Sequence, residues 1–492
     1  MLHFFALLFC CLPIALVAQP SLQKLKQIPL KHPLKYHRFF YEEGSYSLLV
    51  KEEHEVGENP ILRYYQLSQD LEVEQQSFYP LDSSTEVVLA EENMKSIYIL
   101  LKKEKSDHEL LILDKRTSDF EVPNIALPAS IQVSHLLATN KALFIGGKIK
   151  EKTTAYKLPL NSDKFQVLFY HLNQSSNLRA LQHHKKSNTV SFLMETCGVS
   201  GMAIKFFLIN QYYEDGTLMH NARVPTPINY RICEAKLLVL NRKNSMLVGT
   251  YSQAVFAKDN IVGFFSINLQ EKDIVDTRFY DLSKVEHYFA YLSDKKADNL
   301  KKRISKAADK GRSIKTRLAI ELSDLELKEN KILLTGSSFH KIKNSDKTYS
   351  FEYLNSFITC FDAKGRLLWN NTLTYPKQQL ITPSPFMLTE ASMIDGQVFF
   401  IQKQQYIYRT MKAQQGTRYA KVQETYLNDG FLSVEEKNMF YEQHMDLLPN
   451  GQLLYFGIRE QTLLNNIFNS QTYFFVEQIE ALPQQLFSKG EN

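Results

Sequence analysis

The chain is 492 residues long, 44% apolar and 12% aromatic, with a formal net charge of +5. That apolar content excludes global disorder, and aromatics that are almost all Phe (32) and Tyr (26) favour strands. With 18 Gly and 16 Pro there is no room for extensive low-complexity linkers.

Residues 1–18 read as a secretory signal peptide: an apolar stretch runs from Phe4 to Val17, and the small residue Ala18 precedes Gln19. The stretch is short for a bilayer span, and no later segment is long and apolar enough to be one. Neither Cys10 nor Cys11 follows a small residue, as a lipid-modified cysteine should. The expectation is an exported chain, in the periplasm, at the cell surface or outside the cell, with no transmembrane segment after cleavage. Cys197, Cys233 and Cys360 would remain. Three thiols cannot all pair internally and are too few to staple a chain of this size, so buried free thiols are expected.

From residue 44 onward a turn-type residue is followed eight times by a short apolar run. The runs follow Gly44 (Ser45 to Val50), Asn93 (Ser96 to Leu101), Asn140 (Ala142 to Gly146), Asn188 (Val190 to Leu193), Asn244 (Met246 to Gly249), Asn330 (Ile332 to Gly336), Asp395-Gly396 (Val398 to Ile401) and Asn450-Gly451 (Leu453 to Gly457). The early spacing of about 45 to 50 residues is that of one four-stranded propeller blade. A third-strand candidate follows every run, for example Leu62 to Leu67, Ile204 to Ile209 and Tyr473 to Ile479. In the sixth unit all four strands are readable. Arg317 to Leu327 alternates, Lys331 to Gly336 is apolar, Ser356 to Phe361 enters the turn Asp362-Ala-Lys-Gly365, and Arg366 to Thr374 carries Trp369. The fold class is therefore all-β: a single β-propeller domain over 19–492, with eight four-stranded blades and seven as the alternative. The last unit lacks a convincing fourth strand, whereas Leu22 to Leu30 is a spare one. Pairing the two would close the ring and remove open sheet edges.

Over the mature chain this pattern resembles the secreted bacterial β-propellers as a structural group. The stretch Phe361-Asp-Ala-Lys-Gly-Arg-Leu-Leu-Trp369 is similar to a quinoprotein-type blade turn, in which an Asp, a Gly and a following Trp recur. Here the Trp occurs in one blade only, so the resemblance implies fold and no quinone; no cofactor is expected.

One interval, between the fifth and sixth runs, is too long. Its surplus, 283–316, is helical in character: Ser283-Lys-Val-Glu286 reads as a capping box, Val285, Phe289 and Leu292 share a face, Leu300, Ile304 and Ala308 continue one, and Gly311 is a helix stop. Two short helices or one bent helix are expected. The segment is strongly basic, with Lys295, Lys296, Lys301, Lys302, Arg303, Lys306, Lys310, Arg312, Lys315 and Arg317 against Asp298 and Asp309. These ten cations are candidate partner-binding residues, for an envelope protein or an anionic glycan or glycolipid. No aromatic residue interrupts the run from 295 to 317, so the stacking platform of a nucleic-acid site is absent.

No zinc helix, nucleophile elbow, Walker loop or EF-hand is present. Gly146-Gly147-Lys148 ends a strand and lacks the rest of a phosphate loop. His183 and His184 are adjacent in a strand and point to opposite faces, so they cannot share a metal, and no metal site is expected. Glu52-Glu53-His54-Glu55 and Tyr212-Tyr213-Glu214-Asp215 read as solvated hairpin turns. With no catalytic signature, the leading expectation is a non-enzymatic envelope scaffold that binds protein or glycan through a basic helical contact arm. The alternative is a propeller hydrolase or lyase acting on carbohydrate or peptide at the channel mouth.

Overall fold

In the computed structural model the residues described are 22–480, apart from 31–35, 43–44, 53–58, 104–107, 126–130, 171–175, 198–203, 254–259, 311–313, 315, 346–347, 375–388, 395–396, 405–406, 414–421, 427–435, 448–451 and 464–469. The leader-like segment 1–18, Gly311 and the stretch 481–488 lie outside them.

Eight four-stranded antiparallel sheets follow one another along the chain. The second strands are Ser45–Glu52, Ser96–Lys102, Ala142–Ile149, Thr189–Cys197, Asn244–Gln253, Lys331–Lys343, Gln397–Gln404 and Gln452–Leu463, so each apolar run lies in the second strand of its blade. The physical reason is visible in blade 2. Ile97, Ile99 and Leu101 pack on blade 1 with Leu49, Leu62 and Tyr64, whereas Tyr98 and Leu100 pack on blade 3 with Leu143 and Ile145. Where side-chain burial is described, the second strands are buried on both faces, so both phases of the two-residue period are apolar and the alternation expected of a half-buried strand disappears. The core is thus a series of seams between neighbouring blades rather than one central mass.

The ring closes as the spare strand requires. Leu22–Leu30 pairs antiparallel with Ser470–Glu480, Ile28 opposite Phe474 and Leu30 opposite Thr472, as fourth strand of the blade formed by Glu436–Leu447, Gln452–Leu463 and Ser470–Glu480. Ile28 and Leu30 are buried in a seam that joins this blade to Tyr46, Leu48 and Val50 of the first. Lys26 extends the join, its Nζ 2.7 Å from Glu72 Oε2 of blade 1.

A register shift recurs where the first strand of a blade pairs with the second: between Val87 and Leu89, Val133 and His135, Leu178 and Ala180, Ile232 and Glu234, Leu322 and Leu325, and Phe440 and Glu442. Such bulges re-aim side chains and sharpen twist. Glycine accommodates those of blades 5 and 6. A Cβ at Gly249 would collide with the Glu234 carbonyl oxygen, and one at Gly336 with that of Glu321. In these two blades the glycine that ends the apolar run is therefore the landing place for the bulged strand opposite.

The insertion differs from its expected form. Asp281, not Ser283, caps the first turn, its carboxylate accepting from Ser283 N at 2.8 Å, and that turn is a 3-10 helix of three residues, Leu282–Lys284. The strand Asp273–Asp281 delivers Asp281 to the cap before Ser283 can serve, so Ser283-Lys-Val-Glu286 is no capping box. Val285 and Phe289 are buried but lie in turns, and one helix, Asp294–Ala308, follows Ser293. Phe289, Tyr288, Ala297 and Ile304 join Phe264 and Met246 of blade 5 and Phe357 and Ile332 of blade 6 in one cluster. Asn355 Nδ2 donates to the Tyr288 carbonyl at 2.7 Å, and His287 N donates to Asn370 Oδ1 at 3.1 Å. The segment is a wedge between two blades.

Two outcomes are expected. Leu30→Ala should lower stability by about 2 to 5 kcal/mol, and Phe289→Ala by about 3 to 5 kcal/mol, because each empties a sealed seam. Chemical denaturation checks both; an unchanged midpoint for Leu30→Ala would mean that the ring holds without its closing strand.

Candidate functional site

The first strand of each blade is an edge of its sheet, and first strands of successive blades adjoin around the axis. One side of such an edge carries N–H and C=O groups with no strand partner, which must be met by side chains or water. Between neighbouring blades a side chain of one first strand reaches the next. Arg38 Nη2 donates to Glu91 Oε1 at 3.0 Å between blades 1 and 2. His135 of blade 3 hydrogen-bonds the Arg179 backbone of blade 4. Between blades 5 and 6, Leu322 N donates to Glu234 Oε2 at 3.0 Å, and Lys236 Nζ donates to the Ser323 carbonyl at 3.3 Å.

The bulges place charge here. Arg179 sits at the register shift of blade 4, and its Nη2 is 2.6 Å from Glu195 Oε1, which also accepts from Asn177 Nδ2 at 3.1 Å. Glu234 stands at the shift of blade 5, and Glu321 just before that of blade 6. Burial lifts the Glu234 carboxyl above the ordinary range, against the pull of the Leu322 N–H and Lys236 and with added repulsion from Glu321. Burial also lifts Glu321, against Lys236 alone. Glu91 is raised for the same reason despite Arg38, and burial lowers His135, whose Nδ1 lies 2.8 Å from Ser134 Oγ. Two carboxyl groups that hold protons more tightly than usual, on adjacent inner strands and sharing one lysine, form a set able to give and take protons.

None of these residues was singled out from the sequence, since each blade contributes one or two and no contiguous motif exists. A signal was nevertheless present: the alternation Leu318, Ile320, Leu322 breaks phase at Leu325, and that break is the bulge.

The residues that the sequence did single out are placed as follows. Lys295, Lys296, Lys302, Arg303, Lys306 and Lys310 are exposed on or just beyond the helix Asp294–Ala308, Lys301 donates to the Glu286 carbonyl, and Arg317 is exposed with its N–H on Asn260 Oδ1. Arg312 and Lys315 lie outside the described residues. His183 and His184 do face opposite ways: His183 Nε2 is 2.7 Å from Glu214 Oε1, and His184 Nε2 is 2.7 Å from Ser191 Oγ, with burial pushing His184 down to about 4. Two solvated-turn expectations are corrected. Glu214 does lie in the turn after Ile204–Tyr213 but is buried beside His183, and Glu52, the last residue of Ser45–Glu52, is buried with Arg63 Nη2 at 3.1 Å because that strand runs further than the sequence suggested. Gly146 and Gly147 lie inside a strand, where a Cβ on Gly147 would strike the Gln132 carbonyl. The turn Asp362-Ala-Lys-Gly365 forms with Gly365 at φ 71°, and its Gly365 carbonyl accepts from Ser266 Oγ at 2.8 Å and Tyr280 Oη at 2.7 Å, keying blade 6 to blade 5. Cys233 and Cys360 are free thiols, and burial pushes Cys360 up to about 12. Among the described residues no group of three or more His, Cys, Asp or Glu is arranged to hold a metal.

The chain is a β-propeller. No family model matches it, and no curated protein matches it. It is similar to solved propeller-containing structures: a prolyl endopeptidase (8% identity, 90% of this chain and 55% of that one, TM-score 0.41), the β-propeller domain of the Trilobed protease from Pyrococcus furiosus (11%, 80% and 99%, 0.37) and a polysaccharide lyase (11%, 90% and 89%, 0.43). The chain thus spans about half the length of the prolyl endopeptidase. The expectation of a non-enzymatic scaffold with a projecting contact arm is corrected: the apolar face of the supposed arm is sealed between blades 5 and 6, and the inner strands carry the carboxyl groups described above.

A raised carboxyl pKa means that the native state holds the proton more tightly than the unfolded chain, so the ionisation penalty is absent below the unfolded value of about 4.3 and grows as pH rises through the folded one. Glu234→Gln keeps an oxygen for Leu322 N and should therefore raise the melting temperature near pH 8 while changing it little near pH 4. A difference in melting temperature that does not vary with pH would exclude an uncomfortable charge at Glu234.

Proposed function

We propose that this propeller is an exported hydrolase or lyase acting on an anionic polysaccharide, with Glu321 as its acid–base residue and Glu234 as the neighbouring carboxyl that tunes it. The observation that carries the reading is the pair itself: two carboxyl groups on neighbouring inner strands, Glu234 half-buried and Glu321 at the exposed edge, both holding their protons more tightly than usual and flanked by Lys236 and Arg179. In this reading Glu321, which keeps contact with solvent, exchanges the proton with substrate. Glu234, fixed by the Leu322 N–H, is the neighbour whose charge tunes it. In elimination the ionised Glu321 takes the proton next to a uronic carboxylate while Lys236 and Arg179 offset the charge that develops; the ring C=C bond forms as the adjacent C–O bond breaks, and the departing oxygen takes a proton from water. In hydrolysis the protonated Glu321 donates to the departing oxygen as the glycosidic C–O bond breaks, and water bonds to the anomeric carbon and releases its proton to solvent.

The preference for an anionic glycan rests on the insertion. Its buried face anchors it, and its outward face presents Lys295, Lys296, Lys302, Arg303 and Lys306. It leads into Leu318, where the inner strand of blade 6 begins, three residues ahead of Glu321. A fixed cationic face there would raise the local concentration of a polyanion in a salt-dependent way. The leader-like N-terminus would place this activity outside the cytoplasm.

The test is turnover of uronic-acid polysaccharides, followed both as new reducing ends and as unsaturated uronyl product, which separates hydrolysis from elimination. Glu321→Gln is expected to lose about 10²- to 10⁴-fold in kcat while melting as the parent does. A variant as active as the parent, or no turnover on any such polymer, would remove the proposal.

A further inference from the structure

At the far end of the inner strands from the insertion, the turns joining first to second strands carry cations in blades 2 to 6: Lys95, Lys141, Lys185 with Lys186, Arg242 with Lys243, and Lys328 with Lys331. Several lean on acids, Lys141 at 3.9 Å from Glu214, Lys243 at 4.0 Å from Glu271 and Lys328 at 3.0 Å from Glu326. Within this ring lies a cavity of about 640 Å³ between blades 4, 5 and 6, walled by Lys185, Lys186, Ser187, Asn241 and Arg242. No acidic residue lines it, and its remaining walls include the half-buried apolar side chains of Val239, Leu240 and Leu327.

Both turns that frame the cavity are fixed. In blade 4, Ser187 N donates to the His184 carbonyl at 3.1 Å, Ser187 Oγ lies 2.7 Å from Thr189 Oγ1, and Gln211 Nε2 donates to that hydroxyl at 3.0 Å. In blade 5, Asn241 Oδ1 accepts from Lys243 N and Asn244 N, both at 2.9 Å. Arg242 crosses between them: its Nε donates to the Ser187 carbonyl at 3.3 Å, and its guanidinium lies 5.9 Å from the centre of the Tyr213 ring. That bond uses one of the five donors of the guanidinium. A planar cation held in place beside two lysines suits a phosphate, and apolar walls suit a body attached to it. The volume is that of a small-molecule site.

From this geometry we infer that the cavity between blades 4, 5 and 6 is a second binding site, for a soluble phosphomonoester whose phosphate meets Arg242, Lys185 and Lys186 and whose apolar remainder lies on Val239, Leu240 and Leu327. It is independent of the carboxyl pair.

Calorimetric titration of the full chain with phenyl phosphate tests it. Saturable one-to-one binding is expected at sub-millimolar to millimolar concentration, weakened about tenfold or more in Arg242→Ala and in Lys185→Ala/Lys186→Ala, and unchanged in Glu321→Gln. All of these side chains reach solvent, so the variants should melt as the parent does. Inorganic phosphate and phenol should each bind about tenfold more weakly, since each offers only half of the contact. The inference falls if phenyl phosphate shows no saturation up to about 10 mM. It also falls if Arg242→Ala binds like the parent, or if inorganic phosphate binds as tightly as the ester.

Discussion

The pairing of Leu22–Leu30 with Ser470–Glu480 is the constraint on which the molecule rests. Each second strand is apolar on both faces and is satisfied only when a blade lies on either side of it. In an open array the two end blades would each expose such a face. By completing the last blade with the first strand, the chain turns a row of sheets into a ring in which the seam of Ile28, Leu454 and Val476 against Tyr46 and Leu48 resembles the others.

Closure also gathers eight inner edges around one axis, and there the fold meets chemistry. Edge amides and carbonyls need partners, and polar side chains of the preceding blade supply them: Glu234 to Leu322 N, Lys236 to the Ser323 carbonyl. In six of the eight blades a bulge beside this edge breaks the regular pleat, and in blade 5 it leaves Glu234 at the shift, with Gly249 opposite making room. The same arrangement that satisfies the backbone thereby concentrates carboxyl groups where burial alters their proton affinity.

The repeat was legible in the sequence because burial on two faces writes a continuous apolar run, and turn residues punctuate it. Strand order and closure followed from counting. The insertion was legible as helix through Leu300 and Ile304, but its beginning was misread, since Ser283-Lys-Val-Glu286 satisfies a local pattern while the strand before it delivers Asp281 to the capping position first. Val285 and Phe289 were legible as part of one apolar face, but not that this face, with Tyr288, is sealed between two blades, which decides what the segment does. The inner-edge groups were not legible as a site, because Arg179, Glu234 and Glu321 are separated by scores of residues and come together only through the ring. Isolated polar residues inside alternating strands carry no local mark of being neighbours.

The closing strand has a further consequence, for the order of events as the chain is made. Leu30 and Gln471 meet across 441 residues, so the strand Leu22–Leu30 is made long before its partner and is among the last to find its place. Until then it is an unpaired edge, and its composition suits the wait: Lys24, Lys26 and Pro29 interrupt Leu22–Leu30, discouraging pairing with another copy. Contacts of such separation make folding slow. Blades 1 to 7 can assemble in sequence as they emerge, and the ring then awaits one final docking, of Leu22–Leu30 onto Ser470–Glu480.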